Sequence, residues 1–83
     1  MDGNEFYIRK EDLLEKIADG IFQLKEAMLL LKILERQADE PDRIAIEELE
    51  QLQDHANDIE EWTSIEWDAV HPLAEAARQA AKK

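Results

Sequence analysis

The stretch from Leu13 to Leu34 constrains this chain more than any other. Leu14, Ile17, Ile21, Leu24, Met28 and Leu31 recur at steps of 3, 4, 3, 4 and 3 residues, which is the spacing of an apolar seam along one side of a helix. Ala18, Phe22, Leu29 and Ile33 recur at steps of 4, 7 and 4 and fall on a different side of the same helix. A helix with two apolar stripes needs two neighbours. One is the following segment of the chain folded back. The other is either the chain's C-terminal end or a second molecule.

The remaining composition supports an all-α reading. The chain has two glycines and two prolines, and good helix formers (Ala, Leu, Glu, Lys and Gln) dominate it. Val70 and Thr63 are its sole valine and threonine, and no alternating run marks a strand. With 83 residues there is room for one small domain over 1–83, whose core is marginal without help from association. The absence of cysteine excludes disulfides and thiolate metal sites. The longest apolar run, Ala27 to Leu31, is far short of the ~18 residues a membrane span needs. The N-terminus lacks the basic-then-apolar pattern of a signal peptide. The expectation is a soluble cytoplasmic protein.

Two breaks divide the chain. Ala38-Asp39-Glu40-Pro41-Asp42 ends the first helix near Gln37, since proline pushes the residue before it out of helix. Asn4 is a candidate N-cap for that helix, with a start near Arg9 as the alternative. Asp39 or Glu40 is the candidate cap of the second helix, with Asp42 in its first turn. In that helix Ala45, Leu49, Leu52, Ala56 and Ile59 continue the 4, 3, 4, 3 spacing. Because the connection is short, the two helices are expected to pack antiparallel. His71-Pro72 is the second break, with Pro72 opening a short third helix. Thr63-Ser64-Ile65-Glu66 has the form of a capping box, which could start a new helix, but Trp62 and Ile65 keep the apolar side continuous and favour one helix to about Val70, bent at most near Thr63. The expected architecture is therefore a hairpin of helices at about 5/9–37 and 42–70 plus a short C-terminal helix at about 72–82, assembling into a dimeric bundle. Gly20, inside the first helix, is expected to mark a close helix–helix approach.

The net charge is −11, and its location is informative. From Asp39 to Asp68 there are twelve acidic residues and one basic residue, Arg43. Such a field repels nucleic acid and anionic membranes and attracts basic partners. Glu47, Glu50, Asp54, Asp58 and Glu61 fall 3, 4, 4 and 3 apart. They form an outward stripe with steps of about 5–6 Å, close to the separation of successive phosphates on a nucleic-acid strand. One reading is a carboxylate stripe that imitates a phosphate backbone and occupies a basic groove on a nucleic-acid-binding protein. The bland reading is a solvated face, although a solubilising face normally mixes signs.

Catalysis has little to stand on. There is no Gly-rich phosphate loop, catalytic cysteine or nucleophile beside a histidine, so no catalytic residue, cofactor or enzyme activity is assigned. His55, with Asp58 three residues on, reads as a helix-edge histidine. Asp68-Ala69-Val70-His71 has the acid-x-x-His spacing of bundle metal sites, but such centres need that unit twice, and no metal site is assigned. Trp62 and Trp67 are five apart, so one seam takes one of them. Trp62 reads as core, and Trp67 as lying under the third helix or exposed as a partner hot spot.

Leu52-Gln53-Asp54-His55-Ala56 on the second helix and Ala38-Asp39-Glu40 at the turn resemble the repressor-of-primer proteins of plasmid copy-number control, which are small helical hairpins that dimerise. The resemblance covers about a tenth of the chain and implies RNA binding by the paired first helices. Two features depart from that family. The turn lies about one helical turn farther from the Asp-His-Ala unit. Lys16, Lys25, Lys32 and Arg36 are interleaved with Glu15, Asp19, Glu26 and Glu35, so the likeness is one of architecture.

The leading expectation is a non-enzymatic acidic helical protein that binds a basic partner, with Glu47, Glu50, Asp54, Asp58 and Glu61 as the charged contact and Phe22, Leu29, Ile33 and Trp67 as the apolar one. The alternative is a homo-oligomeric structural or adaptor module, chaperone- or antitoxin-like, gripping partner helices through the second stripe.

Overall fold

The computed structural model describes residues 2–82, and its architecture is two long helices in contact, α1 (Gly3–Gln37) and α2 (Arg43–Ala81). Among the described residues there is no strand. Cross-helix ion pairs run Arg36 to Glu50, Lys25 to Glu60 and Glu11 to Arg78, so the helices lie side by side in opposite directions. The pair is a rod of 64 × 18 × 17 Å. Among the described residues no helix is long and apolar enough to cross a membrane.

Capping fixes both starts, at positions other than those expected. Asp2 Oδ1 accepts the backbone N–H of Glu5 at 2.8 Å, so α1 begins at Gly3 rather than after Asn4 or near Arg9. Asp2 and Glu5 have the spacing of a capping box, and an aspartate here satisfies an orphan donor directly. Asp42 Oδ1 accepts the N–H of Ala45 at 3.1 Å. The cap of α2 is thus Asp42, not Asp39 or Glu40, because Pro41 excludes the residue before it from the helix and moves the start beyond itself.

The expected C-terminal helix at 72–82 does not exist as a separate element. Residues 72–81 continue α2, with Pro72 inside the helix. An internal proline forfeits one hydrogen bond and crowds the preceding turn, at about 3 kcal/mol. Tertiary contacts on both sides of it hold the helix together. Val70, Ala74 and Ala77 are buried, and Glu11 of α1 grips His71 before the proline and Arg78 after it. The helix runs through Thr63 as the continuous apolar side implies, and the capping box is not used there, for a local reason. Thr63 is buried, and its hydroxyl donates back to the Ile59 carbonyl at 2.7 Å, so it is consumed within the helix.

The buried seam is narrower than the spacing suggests. In α1 it is Leu14, Ile21 and Met28, and in α2 Leu49, Ala56, Thr63, Val70, Ala74 and Ala77, one apolar or small residue in seven on each helix until Ala74 widens it at the terminal end. The alternate members of the expected seam, Ile17, Leu24 and Leu31 in α1 and Leu52 and Ile59 in α2, are exposed. Gly20 is not a close-approach point within the chain, since a Cβ there would meet open space.

Replacing Pro72 with alanine restores the lost hydrogen bond in a helix that already passes through this position. Thermal unfolding of Pro72→Ala is expected to show stabilisation of about 1–3 kcal/mol. A proline that opened a separate helix would instead give a neutral or destabilising change.

Candidate partner-docking face

Two helices in contact along one narrow row leave the pair with two flanks, and the sequence makes them chemically different. Residues four after each buried α1 position are Ala18, Lys25 and Lys32, and these point to a charged flank. There Lys25 meets Glu60 at 3.3 Å, and Lys32 and Arg36 both meet Glu50 at 3.3 Å. Residues three after the buried positions are Ile17, Leu24 and Leu31 in α1, and Leu52, Ile59 and Leu73 in α2. They form the opposite, apolar flank, where Lys10 and Glu66 make one ion pair at 3.7 Å.

At the terminal end of the charged flank lies a buried acid that apolar periodicity does not pick out. The Glu11 side chain is 3% exposed, and Arg78 donates to its Oε1. His71 Nδ1 lies 2.6 Å from its Oε2, and since a carboxylate only accepts, Nδ1 carries the proton. Trp67 stacks on the His71 ring at 4.3 Å and 14°, and its indole N–H donates to Glu15 Oε1 at 3.4 Å. The hydrogen bond from Arg78 holds the Glu11 carboxyl below its ordinary range, burial opposes this, and His71 adds to the lowering. Glu11 also raises the Arg78 pKa through the same bond. The signal available in the sequence was the period. Glu11, Ala18, Lys25 and Lys32 are seven apart and so share one row beside the seam.

Farther along the same flank, Phe22, Lys25, Glu26, Leu29, Gln53, Asp54, Asn57 and Glu60 line an open cleft of about 550 Å³. A second cleft of about 310 Å³ shares Glu60 and continues to Glu15, Asp19 and Trp67. Three of the four apolar partner-binding candidates, Phe22, Leu29 and Trp67, therefore lie on the flank that carries the acids. Phe22 is the most open at 68% exposed, whereas Trp67 is half-buried. Ile33 is exposed but does not line either cleft. The two tryptophans exchange roles, since Trp62 is exposed on the apolar flank beside Phe6, Leu13 and Ile17. Trp62 follows the shifted spacing beyond Ile59, which carries it off the buried row occupied by Thr63.

The acidic stripe divides as well. Glu47, Asp54 and Glu61 share one outer row, Asp58 lies beside it, and all four are exposed with no ion-pair partner among the described residues. Glu50 is exposed but neutralised by Lys32 and Arg36. His55 is exposed, and no group of three His, Cys, Asp or Glu side chains among the described residues could hold a metal. Comparison with family models, curated proteins and solved structures found no match to this chain.

Because the folded-state pKa of Glu11 is depressed, its contribution to stability is full above the ordinary carboxylate pKa and is lost as pH falls through the lowered one. Glu11→Gln is expected to lower stability at neutral pH by about 1.5–3 kcal/mol. Urea melts across acidic pH should show the gap between wild type and variant closing as Glu11 protonates. A constant gap at every pH would contradict the assignment.

Proposed function

We propose that this chain is a non-enzymatic protein-binding protein that docks a basic partner surface on its charged flank. The observation that carries the reading is the cleft itself, where Phe22 and Leu29 are rimmed by Glu26, Asp54 and Glu60 and flanked by the outer acids Glu47, Asp58 and Glu61. An amphipathic basic segment finds apolar contact and counter-charge there together. Apolar anchors surrounded by complementary charge are the usual make-up of an interface hot spot, with the charges setting salt dependence and encounter rate. In its sharpest form the outer row of carboxylates stands in for a phosphate backbone, and the partner is a nucleic-acid-handling protein that this one inhibits. The working unit is a homodimeric helical bundle in the cytoplasm.

An adaptor that grips partner helices by apolar contact alone would use Phe22 and Leu29 as well, and salt separates the two readings. Direct RNA binding is not carried forward. Lys25 and Lys32, which a basic α1 face would need, are engaged by Glu60 and Glu50, and a net charge of −11 opposes phosphate binding.

Titration with a synthetic amphipathic Lys/Leu helical peptide, followed by calorimetry, tests the docking chemistry. Joint reversal of Glu47, Asp54, Asp58 and Glu61 to lysine is expected to abolish binding. Phe22→Ala should weaken it on the order of tenfold or more, and affinity should fall as salt rises. Undiminished binding by the reversed variant would reduce the stripe to a solubilising face.

A further inference from the structure

The apolar flank presents Ile17, Leu24 and Leu31 from α1 and Leu52, Ile59 and Trp62 from α2, all exposed, with Leu24 and Trp62 each at 52%. From Ile17 to Leu31 it covers about 21 Å of the middle of a 64 Å rod. These residues recur with the period of the buried seam, so they have the geometry of a core without an opposing surface. They are distinct from the Phe22, Leu29 and Ile33 stripe that the sequence marked for association.

Two magnitudes indicate what covers this flank. The radius of gyration is 18.3 Å, against about 12 Å for a compact domain of this length. The accessible surface is 6421 Å², about 1300 Å² more than a folded monomer of this mass exposes. That excess is more than the ~800 Å² each partner contributes to a stable standard-size interface. The charges that border the flank are paired, Lys10 with Glu66 and Arg9, beside Trp62, with Glu5, so a neutral apolar surface suits it. A second copy supplies one of equal length and spacing, and its own unmet need is the same.

The charge distribution sets the orientation. Residues 22–62, the turn half of the rod, hold twelve acids against four bases, and residues 1–21 with 63–83 hold nine against six. Copies with their turns at the same end would stack the two strongly negative halves. Copies with turns at opposite ends place each negative half beside the nearly balanced half of its partner, which lowers the repulsion. We propose that two copies of this chain pair through the Ile17/Leu24/Leu31 and Leu52/Ile59/Trp62 flank, with their turns at opposite ends, leaving the charged flank of each free.

The pairing is independent of the partner-docking reading, and the experiment separates them. Sedimentation equilibrium of the full chain is expected to give twice the chain mass. Circular dichroism melts should rise in midpoint with protein concentration, as dimer-coupled stability requires. Leu24→Glu should shift the protein to monomer or lower its midpoint at fixed concentration, whereas Leu29→Glu, on the other flank, should leave the dimer intact. Because the chain has no cysteine, a spin label at Glu40→Cys reports orientation in an otherwise native protein. The label–label distance should approach the 64 Å length of the rod. A monomeric wild type, a dimer broken by Leu29→Glu and indifferent to Leu24→Glu, or a label distance under half the rod length would each overturn the proposal. Loss of peptide binding with the dimer intact would touch only the docking reading.

Discussion

The contact between α1 and α2 is one residue wide, and the rest of the molecule follows from that width. Leu14, Ile21 and Met28 meet a facing row that is mostly small, Leu49, Ala56, Thr63, Val70 and Ala77. Small residues let the helices approach closely and leave no room for a second buried row between them. The apolar cluster that results is Met28, Leu49 and Ala56, far less than a domain of this size needs. Sixteen large hydrophobic side chains are left exposed, from Phe6 to Leu73.

At the terminal end, where the facing row is reduced to alanine, charge takes over from packing. Glu11 joins α1 to both sides of Pro72 through His71 and Arg78, and this connection lets α2 continue past a residue that ordinarily stops a helix. The arrangement is asymmetric in what it tolerates. Glu11 is buried and satisfied twice, while Arg78 and His71 are part-exposed. Removal of the acid leaves part-exposed donors that water can reach, whereas removal of both Arg78 and His71 would leave a buried carboxylate uncompensated.

The periodicity of the sequence contained the helical class, the turn and both apolar stripes. It did not contain which members of a stripe would be covered. Spacing of 3 and 4 describes a band about a hundred degrees wide, and whether a neighbour covers its centre or its whole breadth depends on the size of the facing residues. The small row of α2 decided that in favour of the centre, leaving Leu24, Leu52 and Ile59 open. Polar residues in the pattern were discounted for the same reason: Glu11, Lys25 and Lys32 recur every seven residues, but a scan for apolar recurrence passes over them. Pro72 is a genuine local start signal, and yet the helix passes through it. Local rules lose where a tertiary anchor spans them.

The two proposed occupants differ in what they would cost each flank. Lys25–Glu60 and Lys32–Glu50 are exposed pairs worth about 0–1 kcal/mol each in water. Covering them with an apolar surface would strip their hydration without replacing it, at a cost that grows with burial. A cationic surface brings counter-charge for Asp54, Glu26 and Glu60 and leaves part of the flank wet. On the other flank the balance reverses: a charged occupant would be desolvated against leucine and isoleucine, whereas a second copy presents surface of the same kind. Exchanging the two occupants would make both contacts unfavourable. In the proposed arrangement, the division of polar and apolar residues about one narrow seam gives the molecule one face suited to itself and one suited to a basic partner.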